Sequence, residues 1–544
     1  MGRSQGAEGA DSPDYEPLIP GGSLFATARP RRDSFWAYLW ALALAGVVVG
    51  AVYGGKNMNP DFGSLISPSY LADPSHCPAD RADGGRRLLL ADGEVAQPTF
   101  FFQAAGACTA VSIAGGLGLA LLALYLFKRS PEGMVRASVA LQVAIPASLA
   151  LAAFLGGAPA AGLPFALLAA VLAITLYLYR SQLALVAKLL GISVRALADQ
   201  PGIILAALGL QLFGLLLIAP TVAAMLLAFA NGAVVPNPSR AGVDSGVCVD
   251  SAGREVVCCS WQVDGWVPGF MGYAGLVATW TTLLVFATKM FVIAGATAQW
   301  YFSPAGQGPP KGAVLLSARH ALGPSFGSLC LASWLLTLIS YARAALDKIR
   351  QDNQGNFCAV VLTACLDFLY AIFEAVTKFG VVRAAITGEA FMDACRGTVD
   401  LLARNMLDTV GVWWLPGLIL QSTAFMLSSA WGLAAFWGAS RWWGGSRAAV
   451  ASGVALGVLA WLFAFIVLAF VNSVLLNMVD ACYVSFAMDR DAAAVTRSDV
   501  HAVFSTPGAP WSKGPGAVVE QPDEGYAYAA PPSAPPAAAY AARV

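Results

Sequence analysis

Residues 267–298 read VPGFMGYAGLVATWTTLLVFATKMFVIAGATA, a run broken by a single charge, Lys289. A helix of about 20 such residues spans the roughly 30 Å hydrocarbon core of a bilayer, so this run can cross with residues to spare. Working outward, the same test finds runs at 35–54, 104–127, 134–156, 161–179 and 202–230 before it. After it come 326–346, 357–387, 410–437 and 450–476, of which the first two carry more charge than the rest. Every backbone amide inside lipid needs an internal partner, so such runs must be helices. Strand-type alternation is absent, which argues against a β-barrel.

Composition agrees. Of 544 residues, 58% are hydrophobic and 12% charged, with a mean hydropathy of +0.65. Soluble domains carry about 25% charged residues, because a water-facing surface needs them. The expected fold class is all-α: a polytopic membrane protein with about ten transmembrane helices. Lys+Arg and Asp+Glu both number 32, so the basic footprint of a nucleic-acid binder is absent.

The polar segments divide the chain. Residues 1–34 are Pro/Gly-rich, lack a secretory signal pattern and read as a disordered cytosolic N-terminus. Residues 35–488 form the transmembrane domain, with outside loops at 55–103 and 231–268. Residues 489–544, Pro/Ala-rich toward the end, read as a disordered cytosolic tail. With the N-terminus inside, cytosolic segments hold more Lys and Arg than outside ones, among them Arg29, Arg31, Arg32, Lys128, Arg129, Lys188 and Arg195. One stretch resists: alternation puts DKIRQDNQ (347–354), beside Arg343, outside. Cys77, Cys248, Cys258 and Cys259 all fall in the two outside loops, where an oxidising space permits two disulfides in three connectivities. The six other cysteines lie in membrane segments and read as small apolar packing residues.

Catalytic chemistry is missing. The three histidines, His76, His320 and His501, are far apart in sequence. No HExxH, paired CxxC, phosphate-binding loop or GxSxG elbow appears, so the reading is no enzyme, no cofactor and no metal.

Charges inside the membrane are costly, so each needs a reason. Asp367, Glu374 and Lys378 are spaced by seven and four, which places them on one helix face. Glu374 and Lys378 are set for an i,i+4 pair. The face reads as a polar stripe along a solute path, or as the wet side of an interfacial helix. Lys289 sits deep in its run and is expected to pair or to face a cavity. Trp280 and Trp334 fall within membrane runs, where the interfacial aromatic belt does not explain them. Aromatic faces converging on one cavity would attract a quaternary ammonium. Pro146 and Pro220 interrupt their runs, as in the broken helices beside many transporter sites.

Four stretches taken together resemble the choline transporter-like family. AGATAQWYF (294–302) is similar to that family's small-residue run ending in an aromatic triplet. FGSLCLASWLLTLISYARAALDKI (326–349) looks like its Gly-Ser-Leu segment with a closing Arg-containing amphipathic stretch. AAITGEAFMDACRGTVDLLARN (384–405) and NSVLLNMVDACYVSFAMDRD (472–491) follow in the family's order. Lys289 departs from it, standing where the family more often has an uncharged polar residue. The resemblance implies a choline transporter-like fold, both termini cytosolic, and passage of choline or a related organic cation without ATP hydrolysis. On that reading Trp280, Trp334 and Tyr341 supply aromatic contacts, Asp367 and Glu374 negative charge, and Lys289 and Lys378 gating or coupling. The expected partners are the organic cation and membrane lipids, in the plasma membrane or else an endosomal or vacuolar one. DYEPLI (Asp14–Ile19) fits an acidic dileucine-type address for a sorting adaptor. The alternatives are a non-transporting membrane scaffold or trafficking protein, or a carrier of a different small organic solute.

Overall fold

A computed structural model describes residues 25–26, 29–66, 68–73, 77, 98–178, 180–244, 247–303, 309–353, 357–405, 410–442, 447–492 and 494–504. The order begins with α1 (Ser34–Lys56), a 3₁₀ turn at Pro60–Ile66, α2 (Pro68–Ala72), α3 (Pro98–Arg129), α4 (Pro131–Leu155) and α5 (Pro159–Leu178). Next are α6 (Arg180–Asp199), α7 (Gly202–Phe229) and four short strands, β1 (Gly232–Pro236), β2 (Gly242–Asp244), β3 (Val247–Val249) and β4 (Cys259–Val263). The second half is helical: α8 (Val267–Tyr301), α9 (Ala313–Leu322), α10 (Phe326–Asp352), α11 (Phe357–Thr387), α12 (Phe391–Asn405), α13 (Val410–Trp442), α14 (Arg447–Asp491) and α15 (Ser498–Phe504).

Among the described residues ten helices are long and apolar enough to cross a membrane. The all-α polytopic expectation therefore holds. Proline opens α2, α3, α4 and α5, where its fixed φ suits the first turn and its missing N–H costs nothing. Inside α4 and α7, Pro146 and Pro220 do not break the helix; both helices run through them. The charged runs seven and eight are also full-length helices, α10 and α11.

α8 is the axis of the bundle. Every residue from Ala287 to Tyr301 is buried, because α1, α7, α9, α10, α11 and α14 surround it. Its small residues permit this: a side chain at Gly295 would collide with Ser317 of α9. α5 and α7 instead expose Leu163, Leu178, Leu205 and Leu216, as a lipid-facing surface requires.

Three features lie beyond the apolar runs. α6 and α12 are amphipathic helices packed on the bundle, α6 against α3, α4, α13 and α14, and α12 against α10, α11 and α14. Neither has a membrane-length apolar run, so the 20-residue test passes over them. The last helix continues 15 residues past 476 to Asp491, and α15 follows it. The expected disordered tail from 489 is thus corrected over 489–504, whose anchoring is described below. The remainder of the tail lies outside the described residues.

At one face, β1 pairs antiparallel with β4 in the register Val234↔Trp261, and β2 pairs with β3. Cys77 bonds Cys259 and Cys248 bonds Cys258, with Cα–Cα distances of 5.7 and 5.2 Å. Both lie in the ordinary disulfide range. The two expected outside loops are thereby joined into one cap, whose four buried cysteines pack against the half-buried Leu71, Val234 and Val256. The opposite end, here the terminal face, gathers residues 25–26 and 29–33, α6, α9, α12 and α15.

Candidate functional site

The charges of the membrane domain converge on α11. Lys378 Nζ lies 2.6 Å from Asp480 Oδ2 of α14, and Arg343 Nη1 of α10 lies 2.6 Å from Glu374 Oε2. This corrects the expected i,i+4 pair of Glu374 with Lys378. Each finds a partner on a neighbouring helix instead, so α11 is tied on two sides. Pairing across helices is what makes charge tolerable at this depth. The Lys378–Asp480 pair is the drier, with side chains 25% and 7% exposed against 36% and 49% for the other. Asp367, on the same face, is half-buried and has no ion pair among the described residues.

Along α14, Ser473, Asn477 and Asp480 recur at helical spacing and form a polar seam facing inward. Asn477 is buried, and its Nδ2 has no acceptor among the described residues. At one end of the seam Lys289 Nζ donates to Ser473 Oγ at 3.3 Å. The ammonium also lies 4.7 Å from the centre of the Phe286 ring and 5.9 Å from that of Phe470. Lys289 is therefore paired, as expected, but to a hydroxyl and two aromatic faces rather than to a carboxylate.

The aromatic candidates lie between α8 and α10. Trp280 and Trp334 pack on each other, with ring centres 4.7 Å apart and planes at 54°. Trp280 is buried, and its Nε1 donates to Cys330 O and Ser333 Oγ, both at 3.1 Å. The rings thus fill their own contact and do not flank an open space. Tyr341, two turns along α10 from Trp334, is exposed and reaches toward Gly275 of α8. Trp280, Trp334 and Tyr341 share the interface of α8 and α10, while on α11 Glu374 faces α10 and Lys378 faces α14. α10 joins the two, carrying Trp334 and Tyr341 toward α8 and Arg343 toward α11.

The terminal face is closed by two polar fastenings. In the first, residues 25–26 and 29–33 lie against the end of α11. The Arg29 guanidinium donates to Ala384 O, Ala385 O and Ile386 O at 2.8–3.3 Å, capping carbonyls at the C-terminal end of α11. Burial pulls its pKa down to about 10, still far above neutrality. Asp33 adopts a left-handed φ of 54°, tolerable for aspartate. Its Oδ2 accepts from Ser328 Oγ of α10 and from the Phe391 N–H opening α12. In the second fastening, Asp489 at the end of α14 accepts from Tyr301 of α8, from the N–H and hydroxyl of Thr496, and bonds His501 of α15 at 3.1 Å. Arg497 lies over the Trp300 ring at 3.9 Å and donates to Trp300 O.

Sequence reasoning missed several of these residues. Asp480 is a lone acid in NSVLLNMVDACYVSF, but the last apolar run ends at 476 and leaves it outside the membrane. Extending that run by its helical period would have found it. Arg343 is visible as a charge without its partner. Arg29 and Asp33 carry no local signal, because their partners on α10, α11 and α12 are distant in sequence, and Asp489 bonds Thr496 and His501 in a stretch read as disordered tail. The dileucine-type stretch Asp14–Ile19 lies outside the described residues.

The sequence model of the family described as plasma-membrane choline transporter matches residues 163–491. A CTL-like protein of Dictyostelium discoideum is 29% identical over 152 residues, 26% of this chain and 27% of that protein. Protein PNS1 of Gibberella zeae is 26% identical over 152 residues, 27% of this chain and 28% of its own length. Choline transporter-like protein 2 of Dictyostelium discoideum is 25% identical over 149 residues, 26% and 23% of the two chains. The chain thus aligns with 23–28% of the length of these relatives.

Proposed function

This chain belongs to the plasma-membrane choline transporter family, and we propose that it carries choline or a related organic cation across a membrane without ATP hydrolysis. The observation that carries this reading is the pair of interhelical ion pairs on α11, Arg343–Glu374 and Lys378–Asp480. A quaternary ammonium has charge but no N–H, so carboxylates and aromatic faces hold it. The wedge between α8, α10, α11 and α14 supplies both. Each of its two paired carboxylates is held by a cation of the protein itself. An arriving ammonium competes for Glu374, aided by Asp367, and releases Arg343. α11 then loses one tether to α10, and the rings of Trp280, Trp334 and Tyr341 part to receive the substrate. Lys378 on Asp480 and Lys289 on Ser473 act as gating contacts that report the change to α14. The fastenings of Arg29 and Asp489 form the cytosolic gate, which must open for release. Alternating access needs such contacts to be breakable, and ion pairs across helices meet that need. The plasma membrane is the proposed site of action.

The test is uptake of radiolabelled choline into proteoliposomes. We expect uptake above protein-free vesicles, abolished in Trp280→Ala/Glu374→Gln. Absence of uptake by the parent chain would refute choline as substrate, and unchanged uptake in the variant would refute the site. A second reading, carriage of a zwitterionic or anionic solute, is favoured by Lys289, whose charge no carboxylate among the described residues offsets. It predicts that purified protein is stabilised thermally by such a solute and not by choline.

A further inference from the structure

We infer that the terminal face carries a phosphate-binding site built from Lys128 and Arg195, outside the wedge between α8, α10, α11 and α14 proposed for choline. A cavity of about 180 Å³ opens where α3, α6, α8 and α15 meet. Three cations line it, along with Asp199, Asp499 and Trp300. The two acids are already engaged. Asp199 Oδ2 accepts from Trp300 Nε1 at 2.9 Å, and Asp499 is paired with Arg497 at 3.1 Å. Arg497 is held flat on the indole and by its bond to Trp300 O, so its planar fork is fixed in orientation. Lys128 and Arg195 are solvent-exposed and have no ion-pair partner among the described residues. Two uncommitted cations around a cavity, one of them a guanidinium, suit a phosphate group. Arg497 spends Nε and Nη2 on the Asp499 carboxylate and an Nη1 proton on Trp300 O, so it forms a wall of the cavity, while the Arg195 guanidinium offers parallel N–H donors and Lys128 a second charge.

The position points to the source of that phosphate. Lys128 lies in the last turn of a membrane-crossing helix, and α6 is an amphipathic helix packed on the bundle beside it. The cavity therefore sits at headgroup depth, where basic pockets between membrane helices bind phosphate-bearing lipids. A soluble phosphate monoester has the same chemistry and is distinguished by the experiment. The cavity is also lined by Arg497 and by Asp499 of α15, so an occupied site would hold down the C-terminal fastening.

The experiment titrates the full chain in detergent micelles and follows binding by microscale thermophoresis. The probes are short-chain phosphatidylinositol 4-phosphate, short-chain phosphatidylcholine, inositol phosphate and inorganic phosphate. Lys128→Ala/Arg195→Ala changes only exposed side chains, and its fold is checked by thermal unfolding. We expect saturable binding of the phosphoinositide over phosphatidylcholine, weakened about 30-fold in the double variant, as two surface charges imply. Arg254→Ala, on the disulfide face, should bind like the parent. Inositol phosphate binding as tightly as the lipid would support the site and assign it a soluble ligand. Three results would each overturn the proposal: no phosphate probe binding better than phosphatidylcholine, full affinity in the double variant, or equal weakening in Arg254→Ala. None of these depends on choline uptake.

Discussion

Removing the ammonium of Lys378 probes the contact between α11 and α14 most directly. Its Nζ is 2.6 Å from a carboxylate that is 7% exposed. Lys378→Met keeps the unbranched stem but leaves Asp480 buried without a counter-charge. Orphaning one partner of a buried pair costs about 3–5 kcal/mol. Asp480→Asn leaves the ammonium instead. That side chain is 25% exposed and can lean toward water, so the expected cost is smaller, about 1–3 kcal/mol. Lys378→Met/Asp480→Leu removes both charges and fills similar volume, which should fall within about 1 kcal/mol of the parent. Together these values require a coupling energy of at least about 3 kcal/mol between the two positions. The assay is equilibrium unfolding in mixed micelles by added SDS, followed by tryptophan fluorescence. A Lys378→Met variant as stable as the parent would refute the buried pair. So would a double variant as unstable as the sum of the singles.

Three further outcomes follow from the same structure. The Cys77–Cys259 bond closes a separation of 182 residues against 10 for Cys248–Cys258, so loop entropy allows at most about 5 and about 3 kcal/mol respectively. Cys77→Ser should therefore destabilise more than Cys248→Ser in the same SDS titration. The Cys395 thiol is pushed up to about 12 by burial. Its maleimide labelling in the folded protein should be slow at pH 8 and should keep rising with pH well past 9, instead of levelling there as a free thiol does. A plateau near pH 9 would contradict that burial. Finally, a Cβ at Gly116 would lie 3.0 Å from the Ala464 backbone of α14. Gly116→Val should separate α3 from α14 and cost about 1–3 kcal/mol, measured as a lower thermal midpoint in detergent.

Charge made two helices hard to read in one dimension. Arg343 and Glu374 make α10 and α11 look interfacial when each is counted alone, because each charge is then assigned the full cost of lipid. The structure places them 2.6 Å apart, on neighbouring helices. Asp480 was lost for the converse reason. Asn477 and Asp480 end the apolar run, yet α14 continues to Asp491, because those side chains face other helices and not lipid. The amphipathic helices α6 and α12 are too polar for a membrane-length test. They take their place by burying one face on the bundle.

The sequence by itself determined that this chain is a bundle of about ten membrane helices, and it identified the charges that needed partners. Both are local properties: lipid sets the length and polarity of each span, and helical spacing sets which residues share a face. It also brought four cysteines into two loops without choosing among three connectivities. Only the tertiary structure decided that Cys77 meets Cys259, that Glu374 meets Arg343 and that Lys378 meets Asp480. Spacing fixes the face of a helix on which a side chain sits, while packing decides which neighbour lies against that face. The run at 267–298 illustrates the division. Its length made α8 a membrane helix, but its place at the centre of the bundle came from the six helices around it, which also gave Lys289 a hydroxyl and two aromatic rings for company.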